Sequence, residues 1–283
     1  MLRFAAAIVL ALLTPAFGAL AEERAGDIYS IRIEQKSEFN GDRSSGGGTD
    51  NNAVQERVIG WHDGGIEIEL DLPAGTSAQD RQRQWQLPVR ILRRDDGSMK
   101  VLNVDELEAR IDDWLKFGQM GRESCGTWIF TWNAFKIECD PQSVLYLAGT
   151  FDLRIAVSEG TQYQAQVGGE LAVLHADPAD AMLLVAETPV NADEVRRQLA
   201  EADRVSAQLH GKPAVKLEEA LKAHAADKIE GTIVTRFRVD ANGELVSRQQ
   251  VVHMVLVEAS GARMESTTTT TIERELLSRG DAV

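Results

Sequence analysis

The chain has 283 residues, enough for one large domain or two closely associated ones, and it carries 44 acidic against 30 basic residues for a formal net charge of −14. A field of that sign repels nucleic-acid phosphate and anionic lipid headgroups, so no nucleic-acid partner is expected.

The N-terminus reads as an address. Arg3 is followed by an apolar run over 4–13, then Thr14 and Pro15, then Ala19-Leu20-Ala21. A basic start, a short apolar stretch, a helix breaker and small residues before a cut form the template of a secretory leader. Residues 1–21 are predicted to be that leader, cleaved near Ala21, with Gly18 as the alternative cut. The competing reading is a buried N-terminal element. The run is too short for a bilayer, which takes about 20 apolar residues, and nothing later reaches that length, so no membrane span is expected. The product, residues 22–283, is expected to be periplasmic or secreted.

Ile28, Tyr29, Ile31 and Ile33 open a first strand. Residues 37–53 are then polar, small and glycine-rich, and they predict a flexible loop, because they have little apolar surface to set against their ordering entropy. The glycine series has no following Gly-Lys-Ser/Thr and no helix start, which rules out a phosphate loop. Ile66, Ile68, Leu70 and Leu72 alternate strictly with Glu67, Glu69 and Asp71, the pattern of a strand with one face on a core. Asp63-Gly64-Gly65 makes a turn pairing it with 54–61. Residues 75–84 read as a polar connector. Trp85, Leu87, Val89 and Ile91 alternate again, with 99–102 as the return strand.

Asn103 and Glu106 resemble a capping box ahead of a helical stripe of Val104, Leu107, Ile111, Trp114 and Leu115, stopped at Gly118. Asp140-Pro141 starts a short helix through Leu147. Phe151, Leu153, Ile155 and Val157 predict a strand, and two more lie at 170–174 and 182–187. Asn191 and Glu194 start another helix through Leu209, and Leu217, Leu221, Ala225 and Ile229 suggest a fourth. This helical stretch, 189–230, contains the candidate sub-boundary of the β-rich domain. Strands return at 231–239, 244–257 and 263–274 as a meander whose last member holds Thr267 to Thr271, a run with strand propensity but little hydrophobic specification.

The fold class expected from these elements is α+β, a mainly antiparallel curved sheet, half-barrel-like, with about four helices.

Cys125 and Cys139 form an even pair in a small loop, which predicts a disulfide in an oxidising compartment; two free buried thiols are the alternative. Five histidines, His62, His175, His210, His224 and His253, show no metal spacing, so no metal and no cofactor is expected. Asp240 to Glu244 lacks the ligands of a calcium loop and reads as a hairpin turn. Glu67 and Glu69 share a strand face suited in principle to acid–base work, though solvation of an amphipathic strand explains them more simply. No nucleophile–base arrangement is legible, and the chain is not expected to be an enzyme. Trp128, Phe130 and Trp132, held between the cysteines, and Trp114 on the helix stripe are the candidate ligand-binding residues. Aromatic rows stack on ligands or line apolar pockets, and they equally fill cores.

The order of leader, antiparallel strands, embedded helices and a closing hairpin sheet resembles the periplasmic lipoprotein-carrier half-barrel. The segment 125–135, continuing through 138–143, is similar to uncharacterised exported proteins of Gram-negative bacteria. The carrier resemblance implies a surface that binds acyl chains, with Trp114, Trp128, Phe130 and Trp132 in that role. The expected function is thus an exported binding module for a lipid or other apolar or amphiphilic ligand. The alternative is an envelope module that contacts a partner protein and takes no small molecule.

Overall fold

The structure is a computed structural model, and it describes residues 23–130, 134–165, 170–213 and 215–280. The expected leader, 1–21, lies outside the described residues.

Ten strands form one curved antiparallel sheet that does not close into a barrel. In chain order its first strands are β1 (Ile28–Gly41), β2 (Ser45–His62) and β3 (Gly65–Asp71). After the short helix α1 (Ala78–Gln82) come β4 (Val89–Arg94) and β5 (Met99–Val101). Helix α2 (Val104–Phe117) then leads to a two-stranded ribbon, β6 (Trp128–Phe130) with β7 (Ala134–Lys136), and to α3 (Val144–Phe151). A second ribbon pairs β8 (Gln162–Gln164) with β9 (Leu171–Val173). The main sheet resumes with β10 (His175–Asp177) and β11 (Asp180–Pro189). Helices α4 (Ala192–Leu209) and α5 (Leu217–Ala223) follow, and then β12 (Lys228–Val239), β13 (Leu245–Val257) and β14 (Arg263–Ser278). The spatial order is β10-β11-β12-β13-β14-β1-β2-β3-β4-β5, so the last strand pairs with the first. The α+β class and the closing meander expected from the pattern are present. The stretch 189–230 is a helical excursion between two strands, β11 and β12, that pair with each other in the same sheet.

Four local expectations are corrected. Residues 37–53 are not a loop: β1 and β2 pair through them, Ser37 opposite Gly48 and Phe39 opposite Gly46. Their order comes from backbone pairing, since β14 runs along the other side of β1 over its whole length. A Cβ at Gly46 would sit 3.0 Å from the exposed Phe39 ring, which would have to shift to admit it. The alternation from Phe151 to Val157 is not a strand; Phe151 closes α3, and the residues after it cross the core in an irregular path. Trp85 and Leu87 are buried ahead of β4 rather than in it, separated from it by a cis Leu87–Pro88 bond. Ile229 belongs to β12, so α5 stops at Ala223.

The helices pack on one sheet face. Leu107, Ile111 and Leu115 of α2 and Val144, Ala148 and Phe151 of α3 join Ile31, Val58, Ile68, Val89 and Ile91 in a core that reaches Ala186 and Phe237. A second, smaller core sits toward the other strand ends, where Val195 and Leu199 of α4 meet Ile229, Met254, Leu256 and Met264. Cys125 and Cys139 are joined, with their Cα atoms 5.6 Å apart, and their bond staples the β6–β7 ribbon to the larger core.

Candidate functional site

Between the two cores the described residues leave the sheet face uncovered. Along β13 the inward row reads Arg248, Gln250, Val252, Met254, Leu256; along β14 it reads Ile272, Thr270, Thr268, Ser266, Met264, and the register places these rows side by side. The ends of each row enter the cores, and the middle floors a cavity of about 460 Å³. Gln35 of β1 extends the floor, and Val190 and Val195 close the end nearer α4. The helix starts position the rim. Asp140 accepts from the Gln142 N–H at 2.9 Å, directing the chain into α3, which brings Tyr146 and Thr150 to the opening. Asn191 caps α4 by accepting from the N–H groups of Asp193 (3.0 Å) and Glu194 (3.1 Å), which brings Gln198 to the other side. Hydroxyl, amide and methyl groups therefore share one cavity, the mixture that suits a ligand with polar and apolar parts.

Arg248 is the most consequential residue in this lining. It is only 7% exposed, and its Nη2 donates to the Thr150 carbonyl at 3.2 Å, at the C-terminal turn of α3. Burial depresses its proton affinity below the ordinary arginine range, opposed by the neighbouring Tyr163 and Asp152. Asp152 is itself paired with Arg93, whose Nε lies 2.7 Å away. No carboxylate among the described residues forms an ion pair with Arg248. A guanidinium offers five N–H donors, so one carbonyl leaves most of its capacity free. Tyr163, whose ring packs edge-on against Phe237 with centroids 4.9 Å apart, holds a buried hydroxyl with no hydrogen-bond partner among the described residues. Phe237 is the cross-strand partner of Arg248. The same corner of the molecule thus holds a buried hydroxyl without a partner, which burial makes costly, beside a guanidinium with no carboxylate partner among the described residues.

Sequence reasoning passed over Arg248 because the stretch 244–257 was read only as a strand. The signal that marks it is positional. It opens an inward row that ends in Met254 and Leu256, where an unpaired cation has no packing role.

The aromatic residues singled out in the sequence lie elsewhere. Trp114 lines a surface cleft with Trp85, Leu87, Pro88, Arg110 and Phe117; there the guanidinium of Arg110 is taken up by the carbonyls of Trp85 and Pro88. Trp128 borders a groove along α4 beside Ala202, Val205 and Leu209. Phe130 ends β6, and Trp132 lies outside the described residues. The structure does not bring Trp114 and Trp128 into one site.

Other charged clusters are saturated. Glu56 on β2 is buried and receives Arg154 Nη1 at 2.6 Å and Arg274 Nη2 at 2.8 Å, while Glu23 bridges both arginines. Burial alone would push the Glu56 carboxyl up, but the two guanidinium groups outweigh it and hold it at about 2. Arg274 also lies 3.4 Å over the Tyr29 ring. Nearby, Asp27 accepts from the Gly280 N–H at 2.8 Å and from Arg279, fastening both ends of the described chain. Glu67 is held by His62 at 2.6 Å and by Arg90. Asn103 does not cap α2; it accepts from the Arg90 N–H and donates to Glu106, tying the helix start to β4. His224 bridges Asp227 (2.8 Å) and Asp203 (3.0 Å). Among the described residues no group of three or more His, Cys, Asp or Glu side chains is placed to hold a metal ion, and no helix is long and apolar enough to cross a membrane.

No protein-family model matches the chain, and no curated protein matches it in sequence. Among solved structures, the dehydratase domain from the CurF module of curacin polyketide synthase aligns over 91% of this chain and 79% of its own, at 10% sequence identity and a TM-score of 0.14. A likeness at that level carries no argument about fold or function.

Proposed function

We propose that this chain is an exported binding module, without catalysis, that holds an amphiphilic ligand in the cavity between the sheet and helices α3 and α4. The observation that carries this reading is the gap between the two cores, floored by Gln250, Val252, Thr268 and Thr270, where a sheet packed only for stability would place aliphatic side chains. The volume, about 460 Å³, lies in the range of small-molecule pockets. The leader-like N-terminus and the Cys125–Cys139 bond support work in an oxidising compartment outside the cytoplasm. The test is to express the full chain in a Gram-negative host, purify it from the periplasm, and examine it by native mass spectrometry with lipid extraction and by titration with a neutral naphthylamine dye. A co-purifying amphiphile, or saturable dye binding that is lost in Thr268→Trp, is the expected result. A bare mass together with no dye binding overturns the reading.

A further inference from the structure

We infer that the ligand of this cavity is an anionic amphiphile whose carboxylate or phosphate group is held by Arg248. The inference rests on the binding reading above and adds the chemical class of the ligand. A buried arginine normally meets a carboxylate, because an uncompensated charge in a low-dielectric site is costly. The most deeply buried of the other ion-paired arginines obey that rule: Arg154 and Arg274 share Glu56 and Glu23, and Arg93 holds Asp152, whereas the half-buried Arg110 is satisfied by two carbonyls. Arg248 is more than nine-tenths buried and lines the cavity, yet among the described residues its one hydrogen bond goes to the Thr150 carbonyl. Its remaining donors are left for what enters the cavity, and a planar guanidinium fork matches the two oxygens of a carboxylate or phosphate.

The apolar end of the cavity lies in the opposite direction along the same strands. From Arg248 the inward row passes Gln250 and Val252 to Met254, where Val190 and Val195 close the space. A ligand bound head-first at Arg248 would run its alkyl part over the Thr268 and Val252 methyl groups toward Met254. The overall charge of −14 makes the assignment sharper. It disfavours anions in general, so affinity for one must come from a local cation sheltered from the rest of the surface.

The experiment uses three ligands of one chain length, dodecanol, dodecanoate and dodecyl phosphate, each competing with the neutral naphthylamine dye on the full chain. Wild type is expected to bind one or both anions about tenfold or more tightly than the alcohol, as a charge-assisted hydrogen bond at a buried site requires. The preferred anion tells a carboxylate ligand from a phosphate one. In Arg248→Gln the preference should collapse to near unity while dodecanol binding persists, and Arg248→Lys should keep part of it. Equal binding of all three ligands by wild type, or a preference unchanged in Arg248→Gln, overturns the inference and leaves the cavity reading standing. Failure of the dye and all three ligands to bind overturns both. Should Arg248→Gln fail to fold, the wild-type comparison alone decides.

Discussion

Arg274 on β14 and Arg248 on β13 face the same side of one sheet, and both side chains are largely buried. Around Arg274 the fold has assembled Glu56, Glu23 and the Tyr29 ring, with Arg154 sharing the two carboxylates. Around Arg248 it has assembled one carbonyl, several hydroxyl and amide groups, and open space. The two sites are close in the sheet but opposite in electrostatic closure. A network whose charges are all compensated fastens β1, β2, β14 and the start of the described chain at Glu23; a lone cation beside a cavity fastens little and stays available. Burial of charge therefore has a structural meaning in one place and a recognition meaning in the other.

The largest effect that would test this contrast comes from opening the closed network. Glu56→Gln leaves two guanidinium groups buried against one remaining carboxylate, and it should cost about 3–5 kcal/mol in urea unfolding. The pH dependence has a definite sign. Glu56 is held at about 2 against an ordinary 4.5, so its contribution is present above the unfolded value and is lost as pH falls from about 4.5 toward 2. Wild type should lose stability through that window, and the variant should lose markedly less; equal acid sensitivity of the two would remove the network from its structural role.

Arg248→Met provides the opposite arm. Removing an unpaired buried cation should change stability by no more than about 1 kcal/mol, and the sign can be favourable. A loss as large as that of Glu56→Gln would show that Arg248 serves the fold, and the comparison would fail.

The smallest expected effect concerns His224, which joins α5 to Asp203 on α4 and to Asp227 ahead of β12. Burial alone would lower its proton affinity, but the two carboxylates raise it above the ordinary histidine value. A raised folded value means stability that is present below the unfolded value of about 6.5 and is lost as pH rises through the folded one. The stability gap between wild type and His224→Gln, read from urea midpoints at acidic and mildly alkaline pH, should narrow at the higher pH. A constant gap would make the histidine a plain hydrogen-bond post.

Much of the frame was legible because single-segment patterns carry it. The alternation of Ile66, Ile68 and Leu70, the cap at Asn191 and the stripe through Leu107, Ile111 and Leu115 each specify an element without reference to the rest of the chain. Legibility failed where a partner strand made the decision. The residues 46–53 look unstructured in isolation, and they are ordered because Phe39 and its neighbours present a backbone to pair with. It failed again from Phe151 to Val157, where alternating apolar residues serve a path through the core rather than a sheet. The candidate site was the least legible part. The aromatic residues that attracted attention border separate surface clefts, while the threonine run that had seemed under-specified divides its side chains between the two sheet faces. Thr268 and Thr270 line the cavity, and Thr267, Thr269 and Thr271 take the opposite side.

By itself, the sequence specified the α+β class, elements such as β3, α2 and α4, the meander at the C-terminal end and the expectation that Cys125 pairs with Cys139, because periodicity, caps and a two-cysteine count are local or combinatorially closed signals. Only the tertiary structure decided which charges have counter-charges. Glu56 meets Arg154 and Arg274 across separations of 98 and 218 residues, and the absence of any such partner for Arg248 among the described residues is equally a matter of what the fold brings near. Electrostatic pairing depends on distances of a few ångströms between segments remote in sequence.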